Sequence, residues 1–349
     1  MYQVTAAIRT DDGGHRVECS VPLPVPSAVV WDAIATGEGI SSWYVPCALE
    51  PQVGGRIIQF ADPGAPDPTT GPEAAAEAML TATVGEITVY SPPAGGAGGA
   101  AGSGGGASGG GAAGVFTYVE RDWMGEGVPV PPWETSCEIE DVASGDVGEK
   151  IGDDDDTVGC VLRLRSGFDS GGQLPEEAVA GSVDGWSQAL TVLAHRLTHR
   201  SADGVSTVAA AIDPVAVTVP ELWARVASRL VAPAATPGAG GGESGSGSGR
   251  VGAVAKDGEV GGIVAAESEA SMTLILSGPV DGMLELFAFP AGETHEVAAG
   301  SAALAVRVFE YVDAPEGDGS PLGAAAVDVA STWDTTRWRQ WLGDIVGNM

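Results

Sequence analysis

Two segments that carry the same tryptophan pattern divide this chain into two halves. One covers residues 184–193 and the other covers 336–345, and both contain W-x-Q-x-L followed by an aliphatic residue three positions later. In each segment the apolar residues recur every three or four positions, which predicts an amphipathic helix. A repeat of this kind indicates two copies of one fold in tandem.

A second pair of tryptophan-bearing helices is predicted near the start of each half, at 29–34 and 221–226. Between the helices lie short runs with the composition of β-strands. These runs cover 56–60, 158–164, 272–276, 283–289 and 303–311. The pattern predicts a first domain at 1–202 and a second at 207–349.

Two tracts of small residues lie inside these predicted domains and do not separate them. Residues 94–114 and 236–249 consist almost entirely of Gly, Ala and Ser. Such tracts bury little apolar surface, and long insertions in surface loops cost little stability. We therefore interpret both as loop insertions.

Charge and composition exclude several classes of protein. The chain has 349 residues, of which 16 are Lys or Arg and 47 are Asp or Glu, so its net charge is −31. This acidity disfavours binding to nucleic acid or to anionic membranes, and it fits either salt adaptation or a GC-rich bacterial genome. No apolar run is long enough to span a bilayer, no secretory signal is present, and the four scattered cysteines suit a reducing compartment. We expect a cytoplasmic protein.

Seven short motifs in the first half occur in the order found in one protein superfamily. They are V-W-D-A-I at 30–34, S-S-W-Y-V-P at 41–46, V-G-G-R at 53–56, V-G-E-I at 84–87, E-T-S-C-E-I-E at 134–140, L-R-L-R-S-G-F at 162–168 and G-W-S-Q-A-L-T-V-L at 185–193. With them, the first half resembles the SRPBCC, or START-like, superfamily, and within it the family named for activators of heat-shock-protein ATPase. The second half resembles it as a degenerate copy, which keeps the two helices but lacks W-Y-x-P and G-G-R.

The resemblance implies an α+β chain of two tandem helix-grip domains. Each would be a curved antiparallel sheet wrapped on a long C-terminal helix. Sheets of this superfamily often enclose an apolar cavity, so we list the first-domain aromatic residues that could line one. They are Trp31, Trp43, Tyr44, Phe60, Tyr118, Trp123, Phe168 and Trp186. For Trp31 and Trp186, at helical spacing, packing in the core is the preferred interpretation.

Three arginines are candidate polar anchors for a ligand. Arg163 and Arg165 share one face of a predicted strand, and Arg56 is the first residue of the predicted strand at 56–60. Paired arginines can bind a carboxylate or phosphate, but cross-strand pairing of Arg163 and Arg165 with Glu138 or Glu140 is the preferred interpretation.

No pattern predicts a metal, a cofactor or a catalytic residue. His195 and His199 have metal-ligand spacing on a helix, but no third ligand accompanies them, and surface histidines are the preferred interpretation. The G-x-G-x-x-G and G-x-S-x-G matches at 104–110 lie inside the glycine tract and lack the strand and helix that their chemistry requires.

The leading hypothesis is that the first domain binds a hydrophobic small molecule or lipid and catalyses no reaction. One alternative is a co-chaperone role, with a chaperone or another protein as partner, which follows from the name of the family. Another is an enzyme of the cyclase or hydrolase kind, which would need a titratable group in the cavity. The sequence leaves enzymatic activity open and favours its absence.

Overall fold

The chain is α+β and contains two compact units. The computed structural model describes residues 4–11, 14–60, 79, 82–93, 114–121, 131–142, 159–168, 176–199, 204–212, 214–230, 254–257, 260–268, 270–276, 282–290, 300–312 and 335–346. The units are Met1–Ser201 and Ala202–Met349, and each combines one antiparallel sheet with helices. The two tandem helix-grip domains expected from the sequence are confirmed. Of the two predicted insertions, only Gly114 lies within the described residues.

The first unit is an eight-stranded antiparallel sheet with a long final helix. Its described elements are β1 (Thr5–Asp11), β2 (Gly14–Leu23), α1 (Ser27–Ile34), α2 (Gly37–Ser41), β3 (Cys47–Leu49), β4 (Arg56–Gln59), β5 (Thr83–Ser91), β6 (Gly114–Glu120), β7 (Trp133–Val142), β8 (Gly159–Phe168) and α3 (Glu176–His199). The strand order is β1-β2-β8-β7-β6-β5-β4-β3, so the N-terminal hairpin pairs with the last strand of the unit.

Alternation along the strands separates the two faces of the first sheet. On the face that we call the inner face, Val17, Phe116 and Leu162 are buried, whereas Arg163 and Arg165 on the opposite face of β8 are exposed. Helix α3 packs on β1 and β2, and its Leu190 and Leu193 are fully buried. An antiparallel sheet with one solvated face requires such a helix to cover the other face.

The turn before β4 requires glycine. Gly54 has φ of +79°, a conformation that side chains disfavour. A Cβ on Gly55 would lie 2.3 Å from the carbonyl oxygen of Glu50. The two glycines of the V-G-G-R motif therefore allow the tight turn that leads into β4.

The second unit is a shorter version of this arrangement, with one strand and one helix before its remaining strands and a six-stranded sheet in all. Its described elements are β9 (Gly204–Ala211), α4 (Val219–Leu230), β10 (Val254–Asp257), β11 (Val260–Glu267), β12 (Ser271–Leu276), β13 (Gly282–Pro290), β14 (Ala302–Val312) and α5 (Thr335–Val346). The strand order is β10-β11-β12-β13-β14-β9. Strand β9 begins at Gly204, before the predicted domain start at residue 207, and it pairs with β14, the last strand of the unit.

The tryptophans of both helices in the second unit pack in its core. Trp223 of α4 and Trp338 and Trp341 of α5 are buried with Leu284 and Leu304 of the sheet. The two α5 indoles meet edge to face with their centroids 5.4 Å apart. The internal repeat therefore reflects two sheets that are each covered by a tryptophan-bearing pair of helices.

One prediction about α3 is wrong. His195, expected at the surface, is 5% exposed because it lies on the stretch of α3 that is buried along its length between Ala189 and Leu197. The side chain of His199 lies outside the described residues. Within the described part of the chain, no group of His, Cys, Asp and Glu could hold a metal ion, and no helix is long and apolar enough for a membrane span.

Candidate functional site

Polar side chains gather at one end of the otherwise apolar inner face of the first sheet. On β6, Phe116, Tyr118 and Glu120 alternate onto this face, and all three are buried. We define the inner-face polar cluster by the polar residues at this end. They are Gln59, Tyr118, Glu120, Trp133, Thr135 and Ser166. Buried polar groups are costly unless they are paired, so their hydrogen bonds determine what the cluster can do.

A chain of hydrogen bonds joins the inner-face polar cluster across four strands. The Gln59 amide donates to the Tyr118 hydroxyl over 2.9 Å, and Tyr118 is also hydrogen-bonded to Thr135. The hydroxyls of Thr135 and Ser166 are 2.8 Å apart, and the Trp133 indole donates to Ser166 over 2.8 Å. This pairing fixes the position of the Tyr118 ring and hydroxyl.

A glycine on β5 makes room for the cluster. A Cβ on Gly85 would lie 2.9 Å from Ile57 Cγ2, 3.2 Å from Tyr118 Cδ2 and 3.3 Å from Glu120 Cγ. These distances are shorter than ordinary van der Waals contacts. The bare backbone of Gly85 therefore allows the Tyr118 ring to lie beside it and the Tyr118 hydroxyl to reach Gln59 on β4.

Glu120 is the titratable carboxyl of the cluster. Its side chain is 9% exposed, and it lies opposite Trp133 in the register of β6 and β7. Burial raises the pKa of this carboxyl to about 7, which brings its titration into the neutral pH range. Burial, and then the nearby charge of Glu120, raise the pKa of Tyr118 well above its usual value, so the phenol stays protonated.

Two aromatic residues on other elements lie near this end of the inner face. Tyr44, which follows α2, stacks on Trp186 of α3 with the ring centroids 5.0 Å apart. Tyr44 is also close enough to Tyr118 to contribute to the shift of its pKa. Next to it, Trp43 is buried and donates its indole N–H to the carbonyl of Ala33 over 2.9 Å.

The remaining aromatic candidates are distributed over the inner face and beyond it. Phe168 is buried on β8 between Trp133 and His15, so it adjoins the cluster. Trp31 is buried at the other end of the inner face, edge to face with Tyr90 at 5.1 Å. Phe60 is half-buried just after β4, and Trp123 lies outside the described residues.

The three arginines lie on surfaces that do not face the cluster. Arg163 pairs with Glu140 at 2.9 Å and Arg165 pairs with Glu138 at 3.1 Å. The predicted cross-strand pairing is therefore observed, on the exposed face of β8. Arg56 pairs with Glu50 at 3.1 Å, and its hydrogen bonds lower the pKa of that carboxyl. An anchoring role on the inner face would require these side chains on the opposite side of their strands.

The second unit carries a different buried charge arrangement. Glu285 and Arg307, cross-strand neighbours on β13 and β14, form an ion pair at 3.2 Å on the face of the sheet opposite its helices. Burial raises the pKa of Glu285, and the adjacent Arg307 partly opposes this shift. The Glu285 carboxyl has a cationic partner, whereas no ion pair of Glu120 is found among the residues that the structure describes.

The cysteines do not provide a nucleophile. Burial raises the pKa of Cys19 to about 11 and that of Cys160 to about 12, and burial with the nearby Glu138 raises the pKa of Cys137 to about 12. These three are buried free thiols, and Cys47 is a half-buried free thiol whose pKa burial raises to about 12. Thiols with such pKa values carry almost no thiolate at neutral pH.

Sequence reasoning found Tyr118 but missed Glu120. The run G-V-F-T-Y-V-E contains the signal, because Phe116 and Tyr118 are two apart and the next residue on their face is Glu120. The glycine tract that directly precedes this run obscured the start of β6. The predicted strand runs therefore do not include β6.

Comparisons with known proteins find similar solved structures. No family model and no curated protein matches this chain. CalU16 from Micromonospora echinospora is 15% identical, with 57% of this chain and 87% of that chain covered and a TM-score of 0.32. DynU16, from the dynemicin biosynthetic locus, is 16% identical, with 86% and 87% covered and a TM-score of 0.33.

A di-domain protein is also among the matches. StfQ, a di-domain ARO/CYC from the steffimycin biosynthetic pathway, is 9% identical, with 95% of this chain and 93% of that chain covered and a TM-score of 0.32. At such identities and TM-scores, these likenesses carry no argument about activity or ligand. The resemblance to the family of heat-shock ATPase activators is not confirmed.

Proposed function

We propose that the first unit binds a hydrophobic small molecule or lipid, without catalysing a reaction, between the inner face of its sheet and α3. The observation that carries this proposal is the inner-face polar cluster at one end of an apolar face. Sites for small molecules commonly combine an apolar wall with a few oriented polar groups. The hydrogen-bonded Tyr118 and the carboxyl of Glu120 would orient the polar end of the ligand.

The test is binding by the full chain, measured with native mass spectrometry and tryptophan fluorescence. A panel of a long-chain alcohol, a fatty acid, a sterol and an aromatic polyketide covers the main hydrophobic classes. We expect at least one to add its mass and to change the fluorescence, because Trp133 and Trp186 lie at the proposed site. If the whole panel leaves mass, fluorescence and melting temperature unchanged, the proposal is contradicted.

Two tyrosines provide a matched pair of variants. Tyr118→Phe removes a hydroxyl inside the cluster, whereas Tyr90→Phe removes one that donates to the Ala35 carbonyl near Trp31. Loss of one hydrogen bond to a ligand weakens binding about tenfold. We expect this loss for Tyr118→Phe and unchanged affinity for Tyr90→Phe. Arg165→Gln, on the exposed face, is expected to leave affinity unchanged as well.

A second candidate function is acid–base catalysis by Glu120. The observation that favours it is the pKa of about 7, since a general acid or base works best when its pKa is near the operating pH. Such an enzyme would convert a bound molecule, and Glu120→Gln would still bind that molecule but leave it unchanged. Mass analysis of the ligand after incubation with wild type and Glu120→Gln distinguishes the two functions.

A further inference from the structure

The Glu120 carboxyl lacks a cationic partner within the part of the chain that the structure describes. Burial is the influence that shifts its pKa, and no positive charge opposes this shift. The exposed Arg121 follows it in sequence but pairs with Glu86, 3.8 Å away on the outer side. A carboxyl that is about nine-tenths buried with no counter-ion is costly in its charged form, and a ligand could supply what is missing.

The surroundings of this carboxyl are aromatic. Trp133 lies opposite Glu120 on β7, and Tyr118 is two residues away on the same face. Tyr44 lies after α2 and not on a strand of the sheet. It stacks on Trp186 and lies near Tyr118. Rings of Tyr and Trp attract cations through their π faces, and a carboxylate attracts them by its charge. Together these groups form the chemistry that recognises an alkylammonium group.

A fatty acid matches this environment poorly. Its carboxylate would bring a second negative charge beside Glu120, and like charges in a poorly solvated site repel strongly. Arg163 and Arg165 cannot compensate for it from the other face of β8, where they pair with glutamates. The chain as a whole, at −31, also attracts cations and repels anions.

We propose that the first unit takes a hydrophobic amine, with its protonated amino group paired to the Glu120 carboxylate and its apolar body along the inner face of the sheet. This proposal rests on the proposed binding function and specifies its ligand. On binding, the neutral fraction of Glu120 releases its proton to the buffer. The resulting ion pair replaces a buried acid that has no counter-ion.

The test compares three ligands that share one apolar body: dodecylamine, dodecanol and dodecanoate. The two charged ligands are kept below their micelle concentrations, and the alcohol is kept below its solubility limit. Tryptophan fluorescence titration of the full chain at about pH 8 keeps the amine protonated and most of Glu120 ionised. We expect dodecylamine to bind about tenfold more tightly than dodecanol, and dodecanoate to bind most weakly. Glu120→Gln is expected to remove the preference for the amine while binding of the alcohol remains.

A matched variant separates this site from general attraction to an acidic protein. Glu134→Gln removes the same charge from an exposed position on the adjacent strand, and it should leave the amine preference intact. If dodecanol binds wild type as tightly as dodecylamine, or if Glu120→Gln keeps the preference, the amine proposal is overturned while the binding function stands. If none of the three binds, the amine proposal is overturned, and the wider panel then decides the binding function.

The dependence on pH gives a second readout. Below pH 7 the affinity of wild type for dodecylamine should fall towards that of Glu120→Gln, by about tenfold in all, because Glu120 must lose its proton to form the ion pair. The elements that would line the site carry other titratable or charged groups: Tyr118 and Tyr44 at the cluster, His15 beyond Phe168 on β2, and Asp184, His195 and Arg196 along α3. All of them remain in Glu120→Gln, so the difference between the two pH profiles isolates Glu120. Identical profiles would overturn the proposal.

Discussion

Burial of the Glu120 carboxyl links the stability of the first unit to pH. The pKa is about 7 in the folded protein and 4.5 for an ordinary glutamate, so the folded state binds this proton more tightly than the unfolded state. The stabilisation of the folded state by the protonated Glu120 carboxyl is fully present below pH 4.5 and is lost as the pH rises through 7. Its size is about 3 kcal/mol in the free energy of unfolding.

We expect Glu120→Gln to remove this pH dependence. The amide is neutral at every pH, so the variant should be more stable than wild type above pH 7, by up to about 3 kcal/mol. Chemical denaturation between about pH 4 and pH 8 measures the effect, and Glu134→Gln, exposed on the next strand, should behave as wild type. An unchanged slope in Glu120→Gln would show that Glu120 is not the group responsible.

Gly85 gives a second prediction for a single residue. Gly85→Ala places a methyl group 2.9 Å from Ile57 Cγ2 and 3.2 Å from the Tyr118 ring, so the ring must shift and its hydrogen bond to Gln59 must weaken. We expect a loss of about 1–3 kcal/mol in stability, together with weaker ligand binding.

A helical glycine is the control for this substitution. Gly181 of α3 has open space around its Cβ position, so Gly181→Ala should stabilise the protein by about 0.5–1 kcal/mol. Thermal unfolding compares the two variants. Equal effects at Gly85 and Gly181 would contradict the packing described around Tyr118.

At the scale of elements, each sheet has a Glu–Arg ion pair that links neighbouring strands, and the two pairs differ in how much they contribute to stability. The Glu140–Arg163 pair links β7 and β8 on an exposed face, whereas the Glu285–Arg307 pair links β13 and β14 in a buried one. Removing one member of an exposed pair costs about 1 kcal/mol or less, because water solvates the other member. Removing one member of a buried pair leaves an uncompensated charge.

We therefore expect Glu140→Gln to change stability by less than about 1 kcal/mol and Glu285→Gln to lower it by about 3–5 kcal/mol. Urea denaturation of both variants tests the contrast, and the small effect at Glu140 should decrease further in high salt. A loss at Glu285 no larger than the loss at Glu140 would contradict the burial of the second pair.

At the scale of the whole molecule, the charge of −31 opposes the compact state. Like charges repel one another throughout the chain, and salt screens exposed charges over about 10 Å at 0.1 M. We expect the melting temperature to rise as potassium chloride is added up to about 1 M. A melting temperature that falls over this range would indicate that the attractive surface pairs outweigh the general repulsion.

Sequence patterns predicted the architecture better than the site. Periodic residues such as Trp186, Leu190 and Trp338 indicated their helices because packing against a sheet requires that spacing. The residue type of Tyr118 makes it a candidate, but the residues linked to it by hydrogen bonds come from three other strands: Gln59 and Thr135 directly, and Ser166 through Thr135. Only strand register brings them together, and single-sequence patterns do not specify register. The predicted exposure of His195 is wrong for a related reason, since its burial depends on where α3 crosses the sheet.

The central claim is that a hydrophobic molecule binds the first unit at the inner-face polar cluster. Hydrogen–deuterium exchange of the full chain, with and without the panel member that binds most tightly, tests this claim directly. We predict slower exchange in β6, β7 and the Trp186 region of α3, with exchange in β12–β14 unchanged. Protection confined to the second unit, or a bound molecule that protects none of these strands, would contradict it.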